Sequence, residues 1–481
     1  MNEKISRYED FGAVGDGKHD DLPAIVACHE YANKHGARVV ARDDATYYIG
    51  GKSLTATIKT STNFGKAKFI IDDTTLENIK SDVFQICSDH EVYTADILTL
   101  SKNQKRVDFL HTGKAYVRVF NDKRTVYIRK GLNRDNGSAA SDAFIVDYDG
   151  FILTDINWDY ESVTGAYARS VEDEPITVEG GFFTTVANQA ESFYNYHKRG
   201  IHTERSNVTI RGLAHYVVGE GDHGAPYNGF ISVGECYNFT IEDCLLTPHR
   251  TYCTEGVYPG SVVSMGTYDF NLSGTIGVTM RNVTQTIDIT DSRYWGIIGT
   301  NFSKDVLIEN CVISRYDAHC GVTNATIRNT TLGYHGLNLI GFGTFSIENS
   351  TVQAYSFINL RDDYGSFFNG SLSIKNCVWV PSSNNRTVFN AVNSADHDFG
   401  YECGMPRHIQ IDGFTIADSA DNSATEFYLF PEYDKQYAPN KPFAYGIPEV
   451  VEIENLTVAS GKQFALAENP ELYTGLSIKG L

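Results

Sequence analysis

Methionine and proline are scarce in this 481-residue chain, at 4 and 12, and basic residues are outnumbered 40 to 60 by acidic ones, leaving a formal charge of −20. A field of that sign repels phosphate backbones and anionic membranes, so neither nucleic acid nor a membrane surface is an expected partner. A polyanionic glycan is disfavoured less, because a local group of arginines can dominate within a Debye length of about 8 Å. No apolar run approaches the roughly 18 residues that cross a bilayer, and Met1 to Asp10 is polar. The chain as it stands reads as soluble, and a secreted or periplasmic location follows only if a leader has been removed. Its 9 cysteines are odd in number and lack CxxC or histidine-rich zinc spacing, so no metal is expected. Cys244, Cys311 and Cys377 recur at equivalent places in the repeats below, as small buried thiols do.

What is abundant points to β structure. The chain has 42 Gly, 29 Tyr and 27 Phe with much Thr and Asn, a composition that excludes long helices. Length alone allows two or three ordinary domains. Internal repetition argues instead for one elongated domain. A five-residue phrase recurs as Val208-Thr-Ile-Arg-Gly, Phe239-Thr-Ile-Glu-Asp, Val278-Thr-Met-Arg-Asn, Val306-Leu-Ile-Glu-Asn, Ala325-Thr-Ile-Arg-Asn, Phe345-Ser-Ile-Glu-Asn, Leu372-Ser-Ile-Lys-Asn, Ile409-Gln-Ile-Asp-Gly and Val451-Glu-Ile-Glu-Asn. Each alternates apolar and polar residues with period two and closes on a turn former, which is a short strand with one face in and one out. Spacings run from 19 to 42 residues. The shortest leaves no room for a strand, a crossover helix and a return, but suits one coil of an all-β, three-faced solenoid, with longer coils extruding loops.

Asp21 to His35 carries apolar Leu22, Ile25, Val26 and Ala27 behind Asp20 or Asp21 as cap, which predicts a short amphipathic helix plugging the open end. Between Ser101 and Ala168 the phrase is lost while short strands continue. The expected organisation is therefore a cap and first coils over 1–100, an inserted β subdomain over 101–168, and the main coils over 169–481.

The segment Asp10-Phe-Gly-Ala-Val-Gly-Asp-Gly-Lys-His-Asp-Asp21, the helix, and Ala45-Thr-Tyr-Tyr-Ile-Gly50 together resemble the opening of the pectate-lyase-like superfamily. That superfamily groups polygalacturonases, pectate lyases and phage tailspike depolymerases. The resemblance implies a right-handed parallel β-helix and a carbohydrate substrate, in a bacterial or phage setting. The Gly and Asp residues of the opening serve tight turns and a cap. The polygalacturonase set of Asn-Thr-Asp, Asp-Asp, Gly-His-Gly and Arg-Ile-Lys is absent, although an Asp362-Asp363 pair exists. Asp317-Ala-His319 is similar to the Asp-Pro-His of alginate epimerases and related lyases.

Aligning coils by their phrases stacks Tyr294–Ile298, Ala318–Val322, Gly336–Ile340 and Ser356–Leu360 as one sheet. Alternation then sends Gly296, Ile298, Cys320, Val322, Asn338, Ile340, Ile358 and Leu360 inward. Arg293, Asp317, His335 and Tyr355 form one outward row, and Trp295, His319, Leu337 and Phe357 the next. With coils about 4.8 Å apart, Arg293, Asp317 and His335 are expected as neighbours on one ridge. A plain outer face carries Thr, Ser, Asn or Lys there, or a ladder in which Asp317 merely neutralises Arg293. Exposed aromatics such as Trp295 also suit sugar rings. Two loops overhang this face, Gly219–Tyr227 with Glu220, Asp222 and His223, and Pro248–Tyr252 with His249 and Arg250. Arg361, Asp362 and Asp363 line the same groove or pair locally.

Three functions follow. In a glycoside hydrolase, the favoured expectation, Asp317 supplies one of two carboxyl groups and Asp222, Glu220, Asp362 or Asp363 the other, while Arg293 and His335 tune or hold. In a polysaccharide lyase or epimerase, His335 or His319 removes the C5 proton of a uronate while Arg293 neutralises its carboxylate, with calcium as the one cofactor such chemistry invites. In a non-catalytic, tailspike-like solenoid the same face only binds glycan. The partner in every case is an oligo- or polysaccharide, and self-association into a homo-oligomer stays open.

Overall fold

The computed structural model describes residues 4–130, 136–256, 260–382, 384–392, 397–419, 422–432, 445–470, 473 and 475–480. The repeated phrases stack as predicted. Their third residues pair in parallel register, Val178 with Ile210, then Ile241, Met280, Ile308, Ile327, Ile347, Ile374, Ile411 and Ile453. These residues form a continuous buried rung through the core. Each coil adds two further strands before the next phrase, so the chain winds as a three-faced parallel β-helix, right-handed as parallel crossovers almost always are.

Each phrase closes for a local reason. Its fifth residue, Gly212, Asp243, Asn282, Asn310, Asn329, Asn349, Asn376, Gly413 or Asn455, has φ between 48° and 72°. That left-handed conformation turns the chain between two faces and is tolerated by Gly, Asn and Asp alone at low cost. The asparagines also bond to one another up the stack, as Asn376 Nδ2 to Asn349 Oδ1 at 3.3 Å. Cys244, Cys311 and Cys377 sit directly after this turn, buried, with their thiols donating to backbone carbonyls.

The expected helix spans Leu22–His35 and covers the end of the solenoid. Asp21 is its N-cap by position, but its carboxylate accepts the amides of Val14 and Gly15, and Asp20 takes the Leu22 amide. No helix among the described residues is long and apolar enough to cross a membrane.

The strands Tyr93–Thr94, Ala115–Val126, Ser138–Val146 and Gly165–Ser170 form a separate antiparallel sheet. It is fastened to the solenoid by a buried Lys304–Asp142 ion pair of 2.5 Å and by Tyr116, whose hydroxyl donates to the Gly274 carbonyl. The segment after Val126 carries Tyr127 and Arg129 onto the third face of the solenoid, where the candidate site lies.

Candidate functional site

The third face has its own register, which corrects the expected one. Ile298 pairs with Tyr316, Tyr316 with Leu337, and Ile358 with Phe389. The outward row is therefore Ser232, Asn271, Gly299, Asp317, Asn338, Asn359 and Asn390. Phrase spacing does not carry over to this face because bulges after Gly299 and Ile313 absorb residues at the corners. Leu337 and Phe357, expected outside, are core residues, and Asn338, expected inside, stands beside Asp317. Arg293 leaves the row altogether, its exposed guanidinium gripping Asp291 at 2.6 Å.

Asp317 points outward yet has no solvent exposure, because other side chains roof it. Arg315 reaches it at 2.5 Å, Arg361 lies 3.1 Å away, and the Tyr268 hydroxyl donates to it. Burial alone would raise its pKa, but the two guanidiniums win and hold it far below the usual carboxylate range. Asp363 is similarly bound, by Arg361 at 2.8 Å and by Arg129 from the segment that follows Val126. Arg315 is sandwiched against Trp295, 4.6 Å from its ring centre, and against Tyr268.

Two clefts flank this knot. One, of about 180 Å³, is lined by Tyr268, Asn271, Trp295, Asn301 and His319. The other, of about 410 Å³, is lined by His335, Asn338, Tyr355, Asn359 and Asn390. Tyr355 is half exposed, and the three asparagines form a ladder with bonds of 2.6 and 2.8 Å. Trp295 packs 6.3 Å from the His335 ring and separates the clefts. Five coil steps of about 4.8 Å put Asn271 and Asn390 about 24 Å apart along one groove.

Both histidines are held neutral at pH 7. Burial, with Arg361 close by, depresses His319 to about 3. Burial, with Arg315 close by, depresses His335 to about 4. The Nδ1 of His319 lies 2.9 Å from the Asn301 side-chain oxygen, an acceptor that favours a proton on Nδ1 and leaves the Nε2 lone pair bare.

The overhanging loops behave differently from one another. Asp222 and His223 are exposed, the first near Arg250 at 3.6 Å and the second against the Ala190 carbonyl. Arg250 reaches the Gly221 carbonyl, and Asp362 is exposed at the start of a short 3-10 turn. Glu220 and His249, expected on the surface, turn away into a buried cluster with His215 and Asp269. Sequence reasoning missed Arg315, although its place two residues before Asp317 on one strand puts it on the same face. Tyr268 and Arg129 left no such signal, standing 49 residues from Asp317 and 234 from Asp363.

The architecture is the parallel β-helix that the opening motif implied, and solved proteins share it. Three solved phage tailspikes share the fold. Those of Pseudomonas phages phi297 and LKA1 each superpose with a TM-score of 0.53, at 13% and 16% identity, covering 95% and 94% of this chain and 81% of theirs. The tailspike of Acinetobacter baumannii bacteriophage AP22, solved with a capsular saccharide, gives 0.52 at 10% identity over 96% of this chain and 74% of its own. In sequence, a capsule KL64-specific depolymerase of Klebsiella phage P510 is 30% identical over 98 residues, 18% of this chain and only 10% of that protein. No protein-family model matches.

Proposed function

We propose that this chain is a depolymerase of bacterial capsular polysaccharide that cleaves a uronate-containing glycan by β-elimination in the groove on the third face. The carrying observation is the pairing of a neutral, oriented imidazole, His319, with Tyr268 on one cleft, with Arg315 stacked against the Tyr268 and Trp295 rings of its wall, while both carboxylates of the face are bound by arginines. A glycosidase needs one carboxyl protonated and one ionised. Asp317 is tied to two guanidiniums and sealed from solvent, which favours the lyase alternative over hydrolysis. The saccharide-bound tailspike and the Klebsiella depolymerase support a capsular substrate.

In this mechanism Arg315, whose buried Nε has no partner, takes the uronate carboxylate and stabilises the charge that develops as C5 loses its proton. His319 accepts that proton at Nε2, and the incoming carboxylate offsets Arg361 and raises its basicity. The C5–H pair becomes the C4–C5 double bond, the C4–O bond breaks, and the Tyr268 hydroxyl protonates the leaving oxygen. Asp317 and Asp363 position the arginines. Trp295 and Tyr355 offer ring faces to neighbouring sugars.

Digestion of uronate-containing and neutral capsular glycans tests this. New reducing ends accompanied by the ultraviolet absorbance of an unsaturated uronate are expected, and both should fall by at least about 10²-fold in His319→Gln and Tyr268→Phe while binding persists. Reducing ends without the chromophore would establish hydrolysis instead, and binding without turnover would mark a purely adhesive solenoid.

A further inference from the structure

The buried cluster behind the groove has an organisation that simple ion pairing does not account for. His215 Nδ1 lies 2.9 Å from both oxygens of Asp269, and His249 Nε2 lies 3.3 Å from Asp269 Oδ1. The three donor atoms all fall within 4.8 Å of one another, and all three residues are buried. Two ligands bound tetrahedrally to zinc at about 2.0 to 2.1 Å lie about 3.3 Å apart, the scale of these separations.

The outer partners are equally specific. The far nitrogen of His215 meets the Thr185 hydroxyl at 3.0 Å, and the far nitrogen of His249 meets Glu220 at 2.9 Å. Asp269 accepts the Thr247 amide at 2.9 Å. Metal-bound histidines characteristically donate their second N–H to an outer carboxylate or oxygen, which fixes the tautomer and leaves the inner nitrogen free to coordinate. A cavity of about 10 Å³, the size of one water, touches both imidazoles and offers room for a fourth ligand; Arg199 also lines it, its charge matched by Asp73 at 2.6 Å.

Charge points the same way. Asp269, fully buried, and Glu220, nearly so, bring two negative charges into the cluster, and buried charges demand compensation. His215 is stacked flat on Phe230 at 3.7 Å, which fixes its ring but leaves that carboxylate charge to be matched. A divalent ion balances it.

We propose that His215, His249 and Asp269 form a structural site for a zinc-class divalent metal, with Glu220 and Thr185 as outer supports. It would pin the segment that carries Tyr268 and, through the 2.8 Å bond from the Trp295 amide to the His249 carbonyl, the wall of the groove. The spacing of 34 and 20 residues between these ligands, each on a different strand or corner, explains why no sequence motif announced them. This inference stands independently of the glycan chemistry.

Cobalt(II) or zinc added to chelator-treated full-length protein tests it. One equivalent per chain should bind, with the visible bands of a low-coordinate cobalt complex and a higher melting temperature. Glu220→Gln, which keeps the side-chain shape, should lower the affinity by about 10- to 100-fold without loss of the far-ultraviolet circular dichroism. His215→Gln or Asp269→Asn should abolish the cobalt bands. Because these two variants remove buried hydrogen-bond partners on which folding also depends, the wild-type titration and the Glu220→Gln shift decide. Absence of saturable binding, or binding indifferent to Glu220→Gln, overturns the site and leaves a network held by protons alone.

Discussion

Replacing Asp317 by Asn separates a roofed ion knot from a solvent-facing catalytic carboxylate. The carboxylate is fully buried and accepts from Arg315 at 2.5 Å, Arg361 at 3.1 Å and Tyr268. An amide there keeps the volume but removes the charge that compensates two nearly buried guanidiniums. Breaking a buried pair on one side costs about 3–5 kcal/mol. A solenoid opens coil by coil, so the loss should be local rather than spread over a single global transition. At about 1.4 kcal/mol per factor of ten, amide exchange in peptides covering Tyr268, Arg315–Asp317 and Arg361 should accelerate about 10²- to 4 × 10³-fold. Peptides from the coils near Ile453 should be unchanged. Asp222→Asn, at an exposed loop carboxylate, serves as control and should have no effect. An acceleration below tenfold around Asp317 would refute the reasoning, because it would mean that the arginines find water when their partner is lost.

Acid should destabilise the fold before its carboxylates titrate. Burial holds His29 at about 3 and His197 at about 4, so the folded chain carries them neutral, whereas the unfolded chain protonates near 6.5. Their contribution is complete above about pH 6.5 and is lost as pH falls toward 4. Denaturant titrations should show that loss, and it should be smaller in His29→Gln. On the alkaline side, in chelator-treated, metal-free protein, burial opposes the charge of His249, but Asp269 and Glu220 outweigh it and raise its pKa to about 10. The stability this pair of carboxylates confers is complete below about pH 6.5 and disappears as pH rises through 10, and it should be absent from His249→Gln over the same range. Asn329→Val places a β-branched residue at φ 51° and should cost about 1–2 kcal/mol, read from chemical unfolding, whereas Asn329→Gly should be nearly silent. Gly341→Ala puts a Cβ 1.9 Å from the Val322 carbonyl at φ 143° and should cost about 1–3 kcal/mol by the same measurement.

The solenoid was legible because its determinants are local. Alternation within Ala325-Thr-Ile-Arg-Asn sets which side chains enter the core, and Asn329 at its end has the one backbone freedom that the corner needs. Repetition of these two devices dictates stacking without any long-range information. The site was legible only in part. Asp317, His319, His335, Trp295 and Arg361 do gather on one face, as their placement in the coils suggested. Their partners were not, because bulges after Gly299 and Ile313 shift the third face against the first, and a one-residue slip exchanges inside for outside, as at Leu337 and Asn338.

What the sequence determined by itself is therefore the winding of the chain, since period-two burial and left-handed corners are decided within a few residues. Tertiary structure alone decided the electrostatics of the groove. Tyr268 meets Asp317 across 49 residues and Arg129 meets Asp363 across 234, and Coulomb and desolvation energies depend on distance in space rather than along the chain.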